Sequence, residues 1–233
     1  MIEVQNLHKR FGTTQALNGV GFRAAGGAIT GLLGANGAGK TTCLRIIAGA
    51  LKPDAGKVNT DGRLGALLDH TGLYARLTVK ENLRYFGELQ GVAKPELARR
   101  IDQLLVELNL QEIADKRAGG LSLGQSTKVA LGRALIHSPA NLLLDEPTNG
   151  LDVPAVRSLR SQLTDLRNSG ACIVFSSHVL DEVRTLCDLL VIMARGSVVA
   201  CGSPLQICSE AGTESLEEAF MLLTTDTKEA ACA

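Results

Sequence analysis

Apolar positions in the first third of this 233-residue chain come in short, glycine-separated runs. They predict strands at about Ile2–Arg10, Ala16–Arg23, Ala28–Leu33, Lys57–Asn59 and Leu64–Leu68. One helix is predicted among them, from about Gly39 to Ala50. The period then changes. Thr78 and Glu81 have the spacing of a capping box at the head of "TVKENLRYFGEL". Pro95 opens a second helix, whose Leu97, Ile101, Leu104, Leu105 and Leu108 fall on one face. A third begins near Ser122, with Gln125 placed to complete another capping box. Leu77 to Ile136 is thus a helical block.

After Pro139 the strand and helix patterns alternate again. Strands are predicted at Leu142–Leu144, Cys172–Phe175, Leu189–Met193 and Val198–Ala200. Helices are predicted at about Pro154–Arg167, with Asp152 as cap, and near Leu180–Leu186. Ser203, Pro204 and Gln206 open another, with proline at its first position. Apolar, β-branched strands alternating with helices indicate an α/β chain with a largely parallel sheet. The last ten residues, "TTDTKEAACA", are expected to fray.

Composition adds limits. The chain carries 24 Lys and Arg against 24 Asp and Glu, for a formal net charge of +0. It has no global attraction for nucleic acid or anionic lipid. Aromatic residues make up 3%, with no tryptophan, too few for a stacking surface for single strands. Six cysteines (Cys43, Cys172, Cys187, Cys201, Cys208 and Cys232) form no C-x-x-C pair, and no histidine lies at metal spacing. Reduced thiols in a cytosolic protein are expected. The opening "MIEVQNLHKRF" is too polar for a secretory signal. Runs such as "LLVIMA" fall far short of the roughly 20 apolar residues that span a bilayer.

Two stretches carry chemistry. In "GANGAGKTT", Gly34-x-x-x-x-Gly39-Lys40-Thr41 follows an apolar strand and opens a helix. In that context it is a phosphate-binding loop. Backbone N–H groups of Asn36, Gly37, Ala38, Gly39 and Thr42 converge on phosphate oxygens, Lys40 reaches the terminal phosphates, and Thr41 offers a hydroxyl to Mg²⁺. In "NLLLDEPTNGLD" an apolar strand ends in two carboxylates. Asp145 suits Mg²⁺, and Glu146 suits polarising a water. A third stretch, "GGLSLGQSTKVALGRAL", starts a helix with small and polar residues. It has the character of a second anion site, although capping alone accounts for the same residues.

Phosphate loop, "LSLGQ", "LLLDEP", "NGLD" and "SSH" occur in one chain in this order and spacing. The sequence resembles the nucleotide-binding subunits of ABC transporters over nearly its whole length, to about residue 210. The resemblance implies a single P-loop NTPase (RecA-like) core with an antiparallel β-subdomain and an inserted α-helical subdomain. Core and β-subdomain would take about residues 1–76 and 137–210, the helical subdomain 77–136, and a C-terminal helix and tail 211–233. It also answers why one chain has two anion sites. In this family two such domains dock head to tail, so Ser122, Gly124 and Gln125 would bind the γ-phosphate of ATP held by the other subunit.

Other roles follow by position from the resemblance. Phe11 would stack on adenine, His178 would sense the γ-phosphate, and Asp152 would lie in the loop that communicates across the dimer. Lys40, Glu146 and His178 are the implied catalytic residues, with ATP and Mg²⁺ as cofactors. The partners would be a second, most simply identical, nucleotide-binding subunit and an integral membrane permease, with no nucleic acid. The chain would sit on the cytoplasmic face of the membrane. "GLYARLTVKENLRYFGELQGV" and "PTNGLDVPAVRSLR" are most similar to ABC-2-type exporters of the sodium-efflux (NatA-like) group. The alternative is a non-transport ABC ATPase of translation or DNA maintenance, but tandem domains, coiled coils and zinc modules are not evident. Two positions depart from the family pattern. Leu123 replaces the first glycine of the commoner LSGGQ. Asp69 stands where a Mg²⁺-contacting glutamine is usual, and would replace it.

Overall fold

The computed structural model describes residues 1–68 and 72–229, with side chains described to Thr225. Strand β1 (Ile2–Phe11) pairs antiparallel with β2 (Thr14–Ala24) on one side and β4 (Ala55–Thr60) on the other. A second sheet of six strands runs in the order β5-β6-β7-β3-β8-β9. Its members are β3 (Ala28–Leu33), β5 (Leu64–Leu67), β6 (Asn141–Asp145), β7 (Cys172–Ser177), β8 (Leu189–Ala194) and β9 (Ser197–Gly202). Pairing is parallel from β5 through β8, and antiparallel only at β9. The sheet is the largely parallel one expected.

The strands of this sheet are apolar throughout because both faces are covered. Along β7, Ile173 and Phe175 join the cluster that includes Ile29, Leu33 and Leu144. Cys172 and Val174 point the other way, toward Leu32, Leu143 and helix α1 (Lys40–Ile47). Parallel neighbours send their carboxyl ends to one edge. There β6, β7 and β3 lie side by side, so their following loops meet. That edge is where open α/β sheets bind ligands.

Helices α2 (Val79–Leu89), α3 (Lys94–Glu107) and α4 (Leu123–Leu135) form the block predicted from periodicity. Leu97, Ile101, Leu104, Leu105 and Leu108 are all buried. Thr78 and Ser122 each complete a capping box. Helix α4 meets β5 at close quarters, since a β-carbon on Gly65 would overlap the Ala134 carbonyl. Helices α5 (Val153–Asn168) and α6 (Leu180–Leu186) flank the sheet, and α7 (Pro204–Glu210) and α8 (Leu216–Glu229) follow β9.

Strand ends lie within two residues of the predicted limits, with β3 matching them and β5 one residue shorter. The tail is a larger correction. Helix α8 continues to Glu229 instead of fraying from Thr224, and Ala230–Ala233 lie outside the described residues. Leu216 and Ala219 anchor its first turn in the core. The Thr224 and Thr225 hydroxyls donate back to Phe220 O (2.7 Å) and Met221 O (2.6 Å), so polar residues continue the helix without competing with it.

Candidate active site

The phosphate loop leaves β3 and enters α1. Two of its glycines are required by space and dihedral angle. A β-carbon on Gly34 would lie 2.5 Å from Met193 O. Gly39 has φ 105°, and a β-carbon there would lie 2.6 Å from Ala16 O. As N-cap of α1, Gly39 offers no side-chain acceptor. The first N–H groups of the helix therefore remain available for an anion. A cavity of about 200 Å³ opens here, bordered by Thr14–Ala16, Asn36, Gly37, Ala38, Gly39, Lys40, Thr41, Thr42 and Glu146. Lys40 is buried, and its Nζ donates to Gly34 O at 2.7 Å.

Asp145 and Glu146 end β6. Asp145 Oδ1 accepts from Ser176 Oγ at 2.5 Å, and the same hydroxyl accepts from Glu146 N at 2.9 Å. Glu146 takes φ 46°, a left-handed conformation that a β-carbon disfavours and that recurs at functional sites. The turn aims its carboxylate at two partners. Oε1 lies 3.3 Å from Lys40 Nζ, and Oε2 lies 2.7 Å from His178 Nδ1. Lys40, Glu146 and His178 therefore form one continuous chain of contacts, drawn from the ends of three adjacent strands. The chain can hold an anion, orient a water and pass a proton between carboxylate and imidazole.

The second predicted site is built separately. Ser122, Gly124, Gln125 and Asp152 border a cavity of about 650 Å³, together with Gln111, Lys128 and Gly150. Ser122 Oγ accepts from Gln125 N at 3.2 Å, and Gln125 Oε1 accepts from Ser122 N at 3.0 Å. Asp152 Oδ1 caps α5 by accepting from Ala155 N at 2.9 Å. Leu123 is partly exposed and lies over Gly150, where a β-carbon would come within 2.8 Å of it.

Phe11 ends β1, half exposed, with Lys9 Nζ 5.6 Å from its ring centroid. It does not border the phosphate cavity; Thr14, Gln15 and Ala16 do. Asp69 lies outside the described residues. Sequence reasoning passed over Ser176, Ser177, Thr148 and Glu182, although "SSH" and "DEPTNG" contain three of them. Their bonds depend on which strands are neighbours. Among the cysteines, Cys43, Cys172 and Cys187 are buried and free. Burial pushes the Cys43 and Cys187 thiols up to about 12, away from reactive thiolate chemistry.

Among the described residues, no group of three or more His, Cys, Asp or Glu side chains is gathered for a metal. The oxygen donors at this edge are the adjacent carboxylates Asp145 and Glu146 at the end of β6 and the Thr41 hydroxyl at the head of α1. That sparse oxygen set fits Mg²⁺, which keeps most of its water and takes phosphate oxygens rather than a full protein cage.

Comparison with known proteins accords with this geometry. The sequence profile of the ABC transporter family matches residues 17–149. The ABC transporter ATP-binding protein NatA of Bacillus subtilis is 37% identical over 238 residues, covering 95% of this chain and 97% of that protein. The uncharacterized ABC transporter ATP-binding protein MJ1023 of Methanocaldococcus jannaschii is 41% identical, covering 89% and 79%. A solved ATP-binding subunit of an ABC transporter superposes with a TM-score of 0.88 at 29% identity, over 96% of this chain and 99% of the other.

Proposed function

This chain belongs to the ABC transporter family as an ATP-binding subunit, and from that premise we propose that it hydrolyses Mg²⁺-ATP as one half of a paired motor for a membrane permease. The observation that carries the reading is the position of Glu146 between Lys40 and His178 at the mouth of the phosphate cavity. Lys40 and the loop N–H groups would hold the terminal phosphates. Thr41 and Asp145 would hold Mg²⁺. The metal, when bound, neutralises charge developing on the phosphoryl oxygens. Glu146 would orient and polarise the attacking water, and His178 would hold that carboxylate and contact the γ-phosphate. Catalysis of this kind is positioning plus charge stabilisation.

Pairing is supported by the separation of the two sites. The cavity at Ser122 and the cavity at Lys40 share no lining residue, so the signature turn of a second copy is the natural closure for the phosphate loop of the first. ATP would favour that closed state and hydrolysis release it. Glu146→Gln is expected to retain a closed, ATP-filled dimer; monomeric elution at saturating ATP contradicts it. Phe11 would contribute a ring to the adenine, as the family resemblance implies.

Attachment to a permease is supported by an exposed aromatic cluster. Both tyrosines of the chain, Tyr74 and Tyr85, stack edge to face at 4.8 Å, with Phe86 beside them. The segment Asp69–Leu77, whose first three residues lie outside the described ones, would form part of the groove that receives a coupling helix of the permease. No helix among the described residues is long and apolar enough to cross a membrane, which suits a subunit peripheral to the cytoplasmic face. Export, in particular of sodium, rests on the resemblance to the sodium-efflux group and is supported by similarity to NatA along 95% of the chain. The test is phosphate release by the purified chain, followed by detergent pull-down from native membranes. Turnover together with a co-purifying multispan protein supports the motor. Turnover with recovery only alongside ribosomes or DNA favours a non-transport ATPase.

A further inference from the structure

Glu182 is a buried carboxylate for which the proposed chemistry has no use. It lies in the first turn of α6 and is 7% exposed. Its Oε2 accepts two hydroxyl hydrogen bonds, from Thr148 Oγ1 at 2.8 Å and from Ser177 Oγ at 2.9 Å. Ser177 Oγ in turn accepts from Val179 N at 3.0 Å. Burying a carboxylate is costly unless such bonds compensate. Both bonds go to segments that carry the site. Thr148 lies in the loop between Glu146 and Asp152. Ser177 ends β7 and precedes His178.

Strand alternation divides the work between two adjacent serines. Ser176 faces Asp145 and Glu146 on one side of the sheet. Ser177 faces the other side, toward Glu182. The loop after β6 is thus held from both faces, once through the Asp145 carboxylate and the Glu146 amide and once through Thr148. Asn149 N donates to Glu146 O at 3.1 Å and Leu151 N to Thr148 O at 3.1 Å, so Thr148 is coupled to Glu146 and Asp152 within one short turn.

We propose that Glu182 is a positioning residue for hydrolysis: it clamps the loop that carries Glu146 and Asp152 to the turn that carries His178. The clamp keeps the Glu146–His178 contact at 2.7 Å. It also makes the histidine move with the Gly150–Asp152 loop, which borders the signature cavity. A displacement there reaches His178 through two hydroxyls and one carboxylate. The inference rests on the ATP-hydrolysis reading above.

Steady-state phosphate release and nucleotide binding test it in wild type, Glu182→Ala, Glu182→Gln and Thr148→Val. Glu182→Ala is expected to lower kcat about tenfold or more while KM and ATP Kd stay within about twofold, because the phosphate loop is untouched. Glu182→Gln recovers most of the rate, since its amide oxygen still accepts both hydroxyls. Thr148→Val keeps the shape, loses one donor and falls between. In single turnover on a His178→Ala background, Glu182→Ala adds less than about twofold, as expected for residues acting as a unit.

An unchanged kcat in an active protein overturns the clamp. So does a loss equally large without His178, or a loss carried in KM. If Glu182→Ala fails to fold, Thr148→Val decides by the same criteria. A wild type that releases no phosphate overturns the hydrolysis reading and the clamp together.

Discussion

Glu146 is paired with the charge that a terminal phosphate needs. Lys40 Nζ lies 3.3 Å from Glu146 Oε1 and 2.7 Å from Gly34 O. Nucleotide must therefore compete with Glu146 for the ammonium. At an effective dielectric constant of about 20, unit charges at that separation attract by about 5 kcal/mol gross. Desolvation of the buried lysine and the partial exposure of the glutamate offset most of this. A hydrogen bond to a charged group contributes about 1.5–3 kcal/mol net, and Glu146→Gln keeps an oxygen in place of the carboxylate. The charge-dependent remainder is about 1–2 kcal/mol. Since about 1.4 kcal/mol is tenfold in affinity, Glu146→Gln should bind nucleotide about 5- to 30-fold more tightly. The same substitution should lower stability measured without ligand by about 1–2 kcal/mol, because it weakens that pair.

The assay is calorimetric titration with ADP, beside urea unfolding without ligand. ADP lacks the γ-phosphate that a partner's signature turn would grip, so dimer closure does not contribute. An ADP affinity within twofold of wild type, with an unchanged urea midpoint, refutes the competition. Tightening confined to ATP assigns the effect to dimer closure instead.

Four further substitutions have expected outcomes. Gly65→Ala forces a β-carbon into the Ala134 carbonyl and should cost about 3 kcal/mol in urea unfolding, since backbone on both sides cannot yield; a loss under 1 kcal/mol contradicts the close β5–α4 contact. Ser122→Ala removes the capping acceptor of α4 and should cost about 1 kcal/mol, with Ser122→Asn restoring stability. Burial holds the His137 imidazole below its ordinary pKa, with Nε2 against Leu64 O at 3.1 Å. The unfolded chain therefore takes up the proton first as pH falls. This group's contribution is complete above the unfolded pKa of about 6.5 and is lost progressively below it, so His137→Gln should flatten the decline in stability between about pH 7 and 5. Asp69→Ala should lower Mg²⁺-ATP turnover or its stimulation by a permease; both unchanged would show that Asp69 does not replace the usual glutamine.

The elements most legible in the sequence are those with local causes. The capping boxes at Thr78 and Ser122, the cap at Asp152 and the proline-led start of α3 need only a few consecutive residues, and each stands where expected. The phosphate loop is legible for the same reason, since its anion site is made of consecutive N–H groups. Lys40, Glu146 and His178 are far apart in the chain, and their contact follows from strand order. Only because β7 lies between β3 and β6 do the three loops share an edge, and no local pattern encodes that order. Ser176, Ser177, Thr148 and Glu182 went unread on the same account.

Glu146 shows how far the long-range part can override the local one. It precedes Pro147, a setting that favours extended backbone, yet it takes φ 46°. A non-glycine residue in that region costs about 1–3 kcal/mol. Three long-range contacts oppose that cost: Ser176 to its amide, Lys40 to one carboxylate oxygen and His178 to the other. Weakening the Ser176 or the His178 contact should allow the turn to relax toward the extended state that its own neighbours prefer. The carboxylate would then leave the mouth of the cavity. The strain at Glu146 and the polar network around it are therefore one device, in which distant side chains hold its carboxylate where the local backbone would not put it.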